Sequence, residues 1–342
     1  MKIAAGLTLL ALAGGAFAAK WKASGNDLVL TSGQLSVNVT PKLGRVSSMT
    51  WNGKSLLGDS GSLFYPAPQS DFPKTWPPPV GFTLERVGNQ YDPPNFQFFL
   101  NADSTVLLAR PTAVGALTTL LPSREYQFDA ATNGLVVKYS IKNTSTSVTK
   151  SVAPWEVTRV PLASIVFFPK GQPVSVSSTY SPVKEDSLVW VNAPNNGSKI
   201  FRDGKEGWLA AINDSILFVK VFEDLQPKDF APGETEIELY SGQGLFEMEE
   251  QGPYTTLKPG DSLTWSVRWF VRGVPASVAT LGNHALVDSA RALAKSSTAS
   301  ARPRHSAFIP NRRRPLVDIR GRLLPKSQRT IGSGSVGILP IR

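Results

Sequence analysis

The feature that most limits the fold of this chain is a succession of short apolar and β-branched runs between Leu28 and Arg272. In most runs apolar and polar residues alternate, as in a strand with one buried face. Gly, Pro, Asn and Asp separate the runs at the spacing of turns. We therefore predict strands at Leu28–Thr31, Gln34–Thr40, Arg45–Trp51, Thr105–Ala109, Gly134–Asn143, Val148–Arg159, Ser187–Val191, Gly207–Ile212, Ile216–Phe222, Thr235–Tyr240, Gly244–Glu249 and Ser262–Arg272.

Helical periodicity is nearly absent, and its clearest case is Pro275 to Lys295. There Val278, Leu281, Leu286, Val287 and Ala290 fall close to a helical repeat. Strands that do not alternate with helices favour antiparallel sheets packed face to face. The sequence predicts an all-β protein, a large antiparallel β-sandwich with one short C-terminal helix.

The first 18 residues have the composition of a signal peptide: Lys2, an apolar run from Ile3 to Leu12, and Ala16-Phe17-Ala18 as a cleavage site. The run is shorter than the ~20 residues that cross a bilayer, so we predict no transmembrane segment. We expect an exported protein, in the periplasm, on the cell surface or secreted, whose folded domain spans residues 19–290.

The net charge of +10 is concentrated in the last part of the chain. Residues 291–342 hold 12 Lys and Arg against one acid, Asp318, which leaves 24 basic and 25 acidic residues before them. A nearly neutral folded part does not favour a surface that follows phosphates, so we predict no nucleic-acid partner. Residues 291–342 are predicted to form a basic low-complexity tail.

Several kinds of chemistry are excluded by what the sequence lacks. Cys is absent, and the two His residues, His284 and His305, follow the last predicted core strand. A serine triad, a three-His metal site and Cys-ligated zinc are therefore implausible. Because no nucleotide-binding Gly motif precedes a helix, we predict no cofactor. We assign no metal ligand, and calcium binding through scattered Asp side chains stays open.

Two strands carry residues suited to sugar chemistry. In SVAPWEVTRV, Trp155 and Arg159 share one strand face and Glu156 lies on the other. Glu247 and Glu249 share a face, and paired carboxylates can raise one pKa enough to make a general acid. Glu156, Glu247 and Glu249 are the catalytic candidates. For the first strand the alternative is a core Trp with Arg159 bound to a buried acid. For Glu247 and Glu249 it is solvated acids on an edge strand.

Further ligand-binding candidates are Gln69, Trp76, Lys205, Trp208 and Tyr254. Gln69 and Trp76 lie in a Pro-rich, aromatic stretch from Phe64 to Phe96, which predicts a long loop, either a binding loop or a rigid connector. For Lys205 and Trp208 the simpler interpretation is a turn followed by a core Trp.

The chain resembles an uncharacterised bacterial domain family of the galactose-mutarotase-like, or supersandwich, group. The signatures that carry the resemblance are NGKSLL (Asn52–Leu57), FYPAPQSDFPKTWPPP (Phe64–Pro79), APWEVTRV (Ala153–Val160), FFPKG (Phe167–Gly171), GWLAAINDSILFVKVF (Gly207–Phe222) and EMEEQGPYTTLKPGDSLTWSVRW (Glu247–Trp269). The resemblance implies a supersandwich fold and a carbohydrate ligand. In the mutarotases of this group a Glu base works with a His acid, and this chain has no His in its predicted core.

The tail is similar to the C-terminal sorting tails of some Gram-negative secretion systems, through Asp318–Arg322 and Val336–Leu339. That similarity implies secretion machinery as a partner, and the alternative is a disordered basic tail.

Three functions follow as hypotheses. The first is an exported, non-catalytic carbohydrate-binding protein. The second is a sugar epimerase-like or polysaccharide-acting enzyme that uses the three candidate acids. The third is an envelope protein that acts through its basic tail.

Overall fold

The computed structural model describes residues 19–25, 27–40, 44–58, 61–67, 96–111, 119–130, 132–296 and 316–317. These residues form three antiparallel sheets and, within the described ranges, one α-helix. The predicted all-β class is confirmed. No helix in this part of the chain has the length and apolarity needed to span a membrane.

The largest sheet has eleven strands, all joined by antiparallel pairing. In spatial order they are β13 (Lys184–Glu185), β14 (Leu188–Asn192), β12 (Ile165–Pro169), β16 (Trp208–Asn213), β17 (Ile216–Val221), β21 (Ser262–Gly273), β10 (Gly134–Asn143), β9 (Leu120–Asp129), β8 (Val106–Pro111), β7 (Phe96–Asn101) and β22 (Leu316–Val317).

A six-stranded sheet carries the residues of functional interest. Its strands are β15 (Ser198–Arg202), β18 (Ile237–Gly242), β19 (Leu245–Gln251), β11 (Lys150–Val160), β20 (Thr255–Leu257) and β6 (Ser62–Ala67), the last two both paired with β11. A third, N-terminal sheet runs in chain order through β1 (Lys22–Ser24), β2 (Asp27–Ser32), β3 (Leu35–Thr40), β4 (Arg45–Trp51) and β5 (Lys54–Ser55).

One apolar core joins the three sheets. Val37 of the N-terminal sheet, Met248 of the six-stranded sheet and Val267 of the eleven-stranded sheet are all fully buried in it. Each lies on a strand whose alternate residues point the other way, as the period-two pattern predicts. The sheets therefore pack face to face, as expected for a sandwich.

The single described helix, α1 (His284–Ser296), is shorter than predicted. Residues 275–283 form turns, because Gly282 has a φ of 76° and the Asn283 side chain accepts hydrogen bonds from the backbone N–H of Ala285 (3.0 Å) and Leu286 (3.4 Å). Asn is a favoured N-cap, so the helix begins after it. The apolar face of α1 packs on the outer side of the eleven-stranded sheet.

The ends of the Pro-rich stretch and the start of the tail are part of strands and of the helix, where the sequence predicted a loop and a separate tail. Phe64 to Ala67 belong to strand β6, and Phe96 begins β7, while residues 68–95 lie outside the described residues. Helix α1 crosses the predicted boundary at residue 290, and β22 of the tail pairs with β7. The segments of the sorting-tail similarity, Asp318–Arg322 and Val336–Leu339, and the signal peptide lie outside the described residues.

Candidate functional site

The outward face of the six-stranded sheet gathers residues from four strands. Arg159 of β11 lies opposite Glu247 of β19, and Glu249 lies opposite Glu238 of β18. As predicted, Trp155 shares a strand face with Arg159, and Glu247 shares one with Glu249. Because β11 and β19 are paired, all four side chains lie on the same face of the sheet. We call this surface the outer polar face; its members are Trp155, Arg159, Lys199, Glu234, Glu238, Glu247, Glu249 and Gln251.

Arg159 and Glu247 form an ion pair near the surface of this face. The guanidinium Nε donates to Glu247 Oε1 at 2.8 Å, and the two side chains are 19% and 15% exposed. Among the described residues, neither the terminal guanidinium nitrogens nor Glu247 Oε2 makes another hydrogen bond. The pair thus keeps the N–H groups of two guanidinium nitrogens and one carboxylate oxygen for an incoming group.

On the same face, Lys199 binds two carboxylates. Its Nζ lies 2.6 Å from Glu238 Oε2 and 2.9 Å from Glu249 Oε2, and both acids are almost fully buried. Burial raises the pKa of Glu249 to about 8 and that of Glu238 to about 7, with Lys199 opposing both rises. Burial also acts to lower the pKa of Lys199, but the two acids outweigh it and the pKa is raised. Near neutral pH this group can hold or release a proton.

Trp155 is tied into the protein rather than free to stack. Its Nε1 donates to Glu249 Oε2 at 3.0 Å, Lys199 Nζ lies 5.0 Å from a ring centroid, and the Tyr65 ring lies 5.5 Å away. The cation and the neighbouring ring leave only part of the indole accessible. Trp155 thus positions Glu249 and Lys199 as much as it offers a surface for a sugar.

Glu156 does not lie on this face. It points into the core, fully buried, with Thr158 of the same strand, Lys220 of β17 and Glu250 of β19; these four residues form the interior ion cluster. Lys220 pairs with Glu156, lies 2.6 Å from Glu250 Oε2 and donates to Thr158 Oγ1 at 2.9 Å. Glu156 is therefore out of reach of a ligand in this structure, and its catalytic candidacy is not supported.

Glu250 is the carboxyl group of this cluster whose pKa is raised most clearly. Burial and then the Glu156 carboxylate raise its pKa well above the usual value for Glu, while Lys220 opposes the rise. Two carboxylates next to one buried cation favour one protonated acid, because an uncompensated buried charge is costly.

Three further ligand candidates lie elsewhere. Trp208 is 1% exposed and packs edge-on against Phe167 on the helix side of the eleven-stranded sheet, so its ring cannot stack on a sugar there. Lys205 is exposed in the preceding turn, as the turn-and-core interpretation expects. Tyr254 is 36% exposed and follows the end of β19. Gln69 and Trp76 fall outside the described residues.

The structure also bears on the mutarotase comparison. His284 begins helix α1, on the other side of the eleven-stranded sheet from the outer polar face. It cannot serve as the acid partner of Glu247 or Glu249. Among the described residues, no group of three His, Asp or Glu side chains is placed to hold a metal ion.

Sequence reasoning missed four important residues: Lys199, Glu238, Lys220 and Glu250. Lys220 had a local signal, since it is the one charged residue in the apolar strand ILFVKV, and a buried cation needs a partner. Lys199 had none, because the short strand β15 follows a turn and was not predicted.

Comparisons with known proteins agree with this architecture. The model of the family described as "Domain of unknown function (DUF4380)" matches residues 97–272. No match to a curated protein was found. A structure from Escherichia coli K12, provisionally assigned as an aldose 1-epimerase, is 13% identical with a TM-score of 0.52, and the match covers 72% of this chain and 99% of that one.

Two other solved structures are similar. A TPR-domain-containing protein from Parabacteroides distasonis is 14% identical with a TM-score of 0.52; the match covers 85% of this chain and 51% of that one, so this chain spans about half its length. Galactose 1-epimerase from Lactobacillus acidophilus is 10% identical with a TM-score of 0.46, over 75% of this chain and 98% of that one. The first two likenesses show a shared fold.

Proposed function

The chain belongs to the DUF4380 family of domains of unknown function, and we propose that it is a carbohydrate-binding protein whose ligand lies on the outer polar face. The observation that carries this proposal is the Arg159–Glu247 pair. Both side chains are partly exposed, and with respect to the described residues each keeps unused hydrogen-bonding atoms after the pair is formed. An ion pair with that spare capacity is suited to a polar ligand.

A sugar matches these atoms because each hydroxyl can both donate and accept a hydrogen bond. Adjacent hydroxyls can accept from the Arg159 guanidinium and donate to Glu247 Oε2. The Tyr240 side chain, half-buried on the neighbouring strand, adds an aromatic surface to the same face. The fold shared with the E. coli protein, provisionally an aldose 1-epimerase, is consistent with a carbohydrate ligand.

The protein acts outside the cytoplasm and does not alter its ligand. The first 18 residues support export, as they have the composition of a signal peptide. Buried Glu156 and distant His284 support binding without turnover, since neither can join Glu247 or Glu249 as a catalytic partner.

A glycan array probed with the full chain, followed by titration of each hit against Trp fluorescence, tests the proposal. Arg159→Gln should weaken binding by roughly tenfold or more, the effect of losing a charge-assisted hydrogen bond. Arg202→Gln is the matched control, because Arg202 forms a similar half-exposed pair with Glu185 at 3.0 Å. Equal losses in both variants, or no glycan bound at 150 mM salt, would contradict the proposal.

A second candidate function is proton transfer on a sugar. It is favoured by Glu249 and Glu238, which share Lys199 and have pKa values of about 8 and 7, near the optimum for general acid and base groups. Incubation of a bound glycan, with NMR of its anomeric and reducing-end signals, tests it. Turnover that Glu249→Gln abolishes would favour the enzyme, and an unchanged glycan would favour binding alone.

A further inference from the structure

The side chain of Gln251 is a buried polar group on the outer polar face. Gln251 is 2% exposed, and its Nε2 lies 3.1 Å from Glu238 Oε1 and 3.5 Å from Glu234 Oε2. The two carboxylates fix the orientation of the amide, because only its nitrogen can donate to them. Within the part of the chain that the structure describes, Gln251 Oε1 accepts no hydrogen bond. Since such an orphan is costly, this end of the face is suited to a ligand that brings a donor.

The same face has more carboxylates than cations. Among the described residues it carries Glu234, Glu238, Glu247 and Glu249 against Lys199 and Arg159. Both cations are already paired with carboxylates of this face. The raised pKa values of Glu238 and Glu249 accord with this shortage, although burial is their main cause. A ligand with positive charge would supply what the face lacks.

We infer that the ligand is an amino-sugar oligosaccharide, with a protonated amine beside Gln251 and Glu234 and hydroxyl groups at Arg159 and Glu247. An ammonium group offers three donors and no acceptor, which matches the orphaned Gln251 oxygen and the carboxylates around it. Glu234 is half-buried and gives access from solvent. This inference rests on the proposed function, because it names the ligand of the same face.

The length of the face also selects the ligand. Glu247 and Gln251 lie four residues apart on β19, a span of about 13 Å along a strand. One pyranose ring cannot reach both ends. A uronic-acid oligosaccharide of the right length would add carboxylates to a face that is short of cations, so it should bind weakly.

Three tetrasaccharides of equal length test the inference with the full chain at pH 7: β-1,4-linked glucosamine, its N-acetylated form and a glucuronate oligomer. We expect glucosamine to bind about tenfold more tightly than the N-acetylated form, and glucuronate to bind most weakly. Glu234→Gln should remove most of the difference between the first two. Glu185→Gln changes a paired acid in the eleven-stranded sheet and should leave this difference in affinity unchanged.

The outcomes separate this inference from the proposed function. If the neutral or the acidic oligomer binds best, carbohydrate recognition stands and the amino-sugar inference is overturned. If none of the three binds and the glycan array is also blank, both are overturned. The basic tail repels the ammonium ligand and attracts glucuronate, so its charge opposes the expected order.

Discussion

Replacing Lys220 with Met should destabilise the protein strongly. Lys220 is fully buried, lies between Glu156 and Glu250, and is the only cation within contact of them among the described residues. Met fills similar volume but carries no charge. Removing one partner of a buried ion pair costs about 3–5 kcal/mol, because the remaining charge is buried without compensation. That is a large share of the roughly 5–15 kcal/mol that stabilises a typical domain.

Lys138→Met is the matched control, since Lys138 pairs with Glu125 at 2.9 Å but both side chains are 25–30% exposed. Exposed pairs contribute about 0–1 kcal/mol. Urea unfolding followed by Trp fluorescence measures both variants. For an m-value of about 3 kcal/mol/M, Lys220→Met should lower the midpoint by roughly 1–1.7 M and Lys138→Met by less than roughly 0.3 M.

Acidity adds a second test of the same reasoning. At pH 5 the Lys220→Met penalty should shrink, because acid favours protonation of the carboxylate that has lost its cation. If Lys220→Met does not fold, the triple variant that also carries Glu156→Gln and Glu250→Gln should recover stability, as neutral groups replace the whole cluster. A Lys220→Met midpoint within 0.3 M of the control, or a triple variant no more stable than the single one, would refute the account of the interior ion cluster.

Three further predictions concern pH, ligand binding and the tail. The folded-state pKa of Glu249, about 8, exceeds the unfolded value of about 4.3, so the protonated carboxyl contributes fully to stability below pH 4 and this contribution is lost as pH rises to 8. The urea midpoint should therefore fall over this pH range; Glu249→Gln should flatten the fall, and Glu125→Gln should not. At about pH 6, where a glucosamine amine is largely protonated, binding of the tetrasaccharide should release protons, measurable by calorimetry in two buffers, because the ammonium beside Glu234 favours ionised Glu238, whose pKa is about 7; zero release would count against an ammonium at that site. Leu316→Pro with Val317→Pro should break the pairing with β7 and increase dimer or aggregate in size-exclusion chromatography, and an unchanged profile would show that this edge needs no cover.

Strand positions were predictable where turn chemistry and alternation agreed. Arg45–Trp51 and Gly134–Asn143 match the predicted bounds, and β4 is followed by a tight turn at Asn52-Gly53, with φ of 50° and 78°. Strand β9 was missed because Pro122 and the charged Arg124 and Glu125 interrupt its apolar pattern. Arg124 is nonetheless buried, and its environment comes from distant strands that no local window contains.

The site was predictable only within single strands. Alternation placed Trp155 and Arg159 on one face and Glu156 on the other, and the structure has that arrangement. Which strands lie side by side is decided by packing of the whole sheet. Lys199 reaches Glu249 across 50 residues of chain, so neither the shared cation nor its effect on the carboxylates could be derived from sequence.

The position of β22 at the rim of the eleven-stranded sheet means that this edge is covered only late in synthesis. Its Leu316 pairs with Asn101, 215 residues earlier, and α1, which covers the other side of that sheet, also comes from the end of the chain. A ribosome therefore finishes most strands long before their cover exists. We expect nascent chains to expose the β7 rim and the apolar surface under α1 for many seconds, a window in which chaperones would be needed.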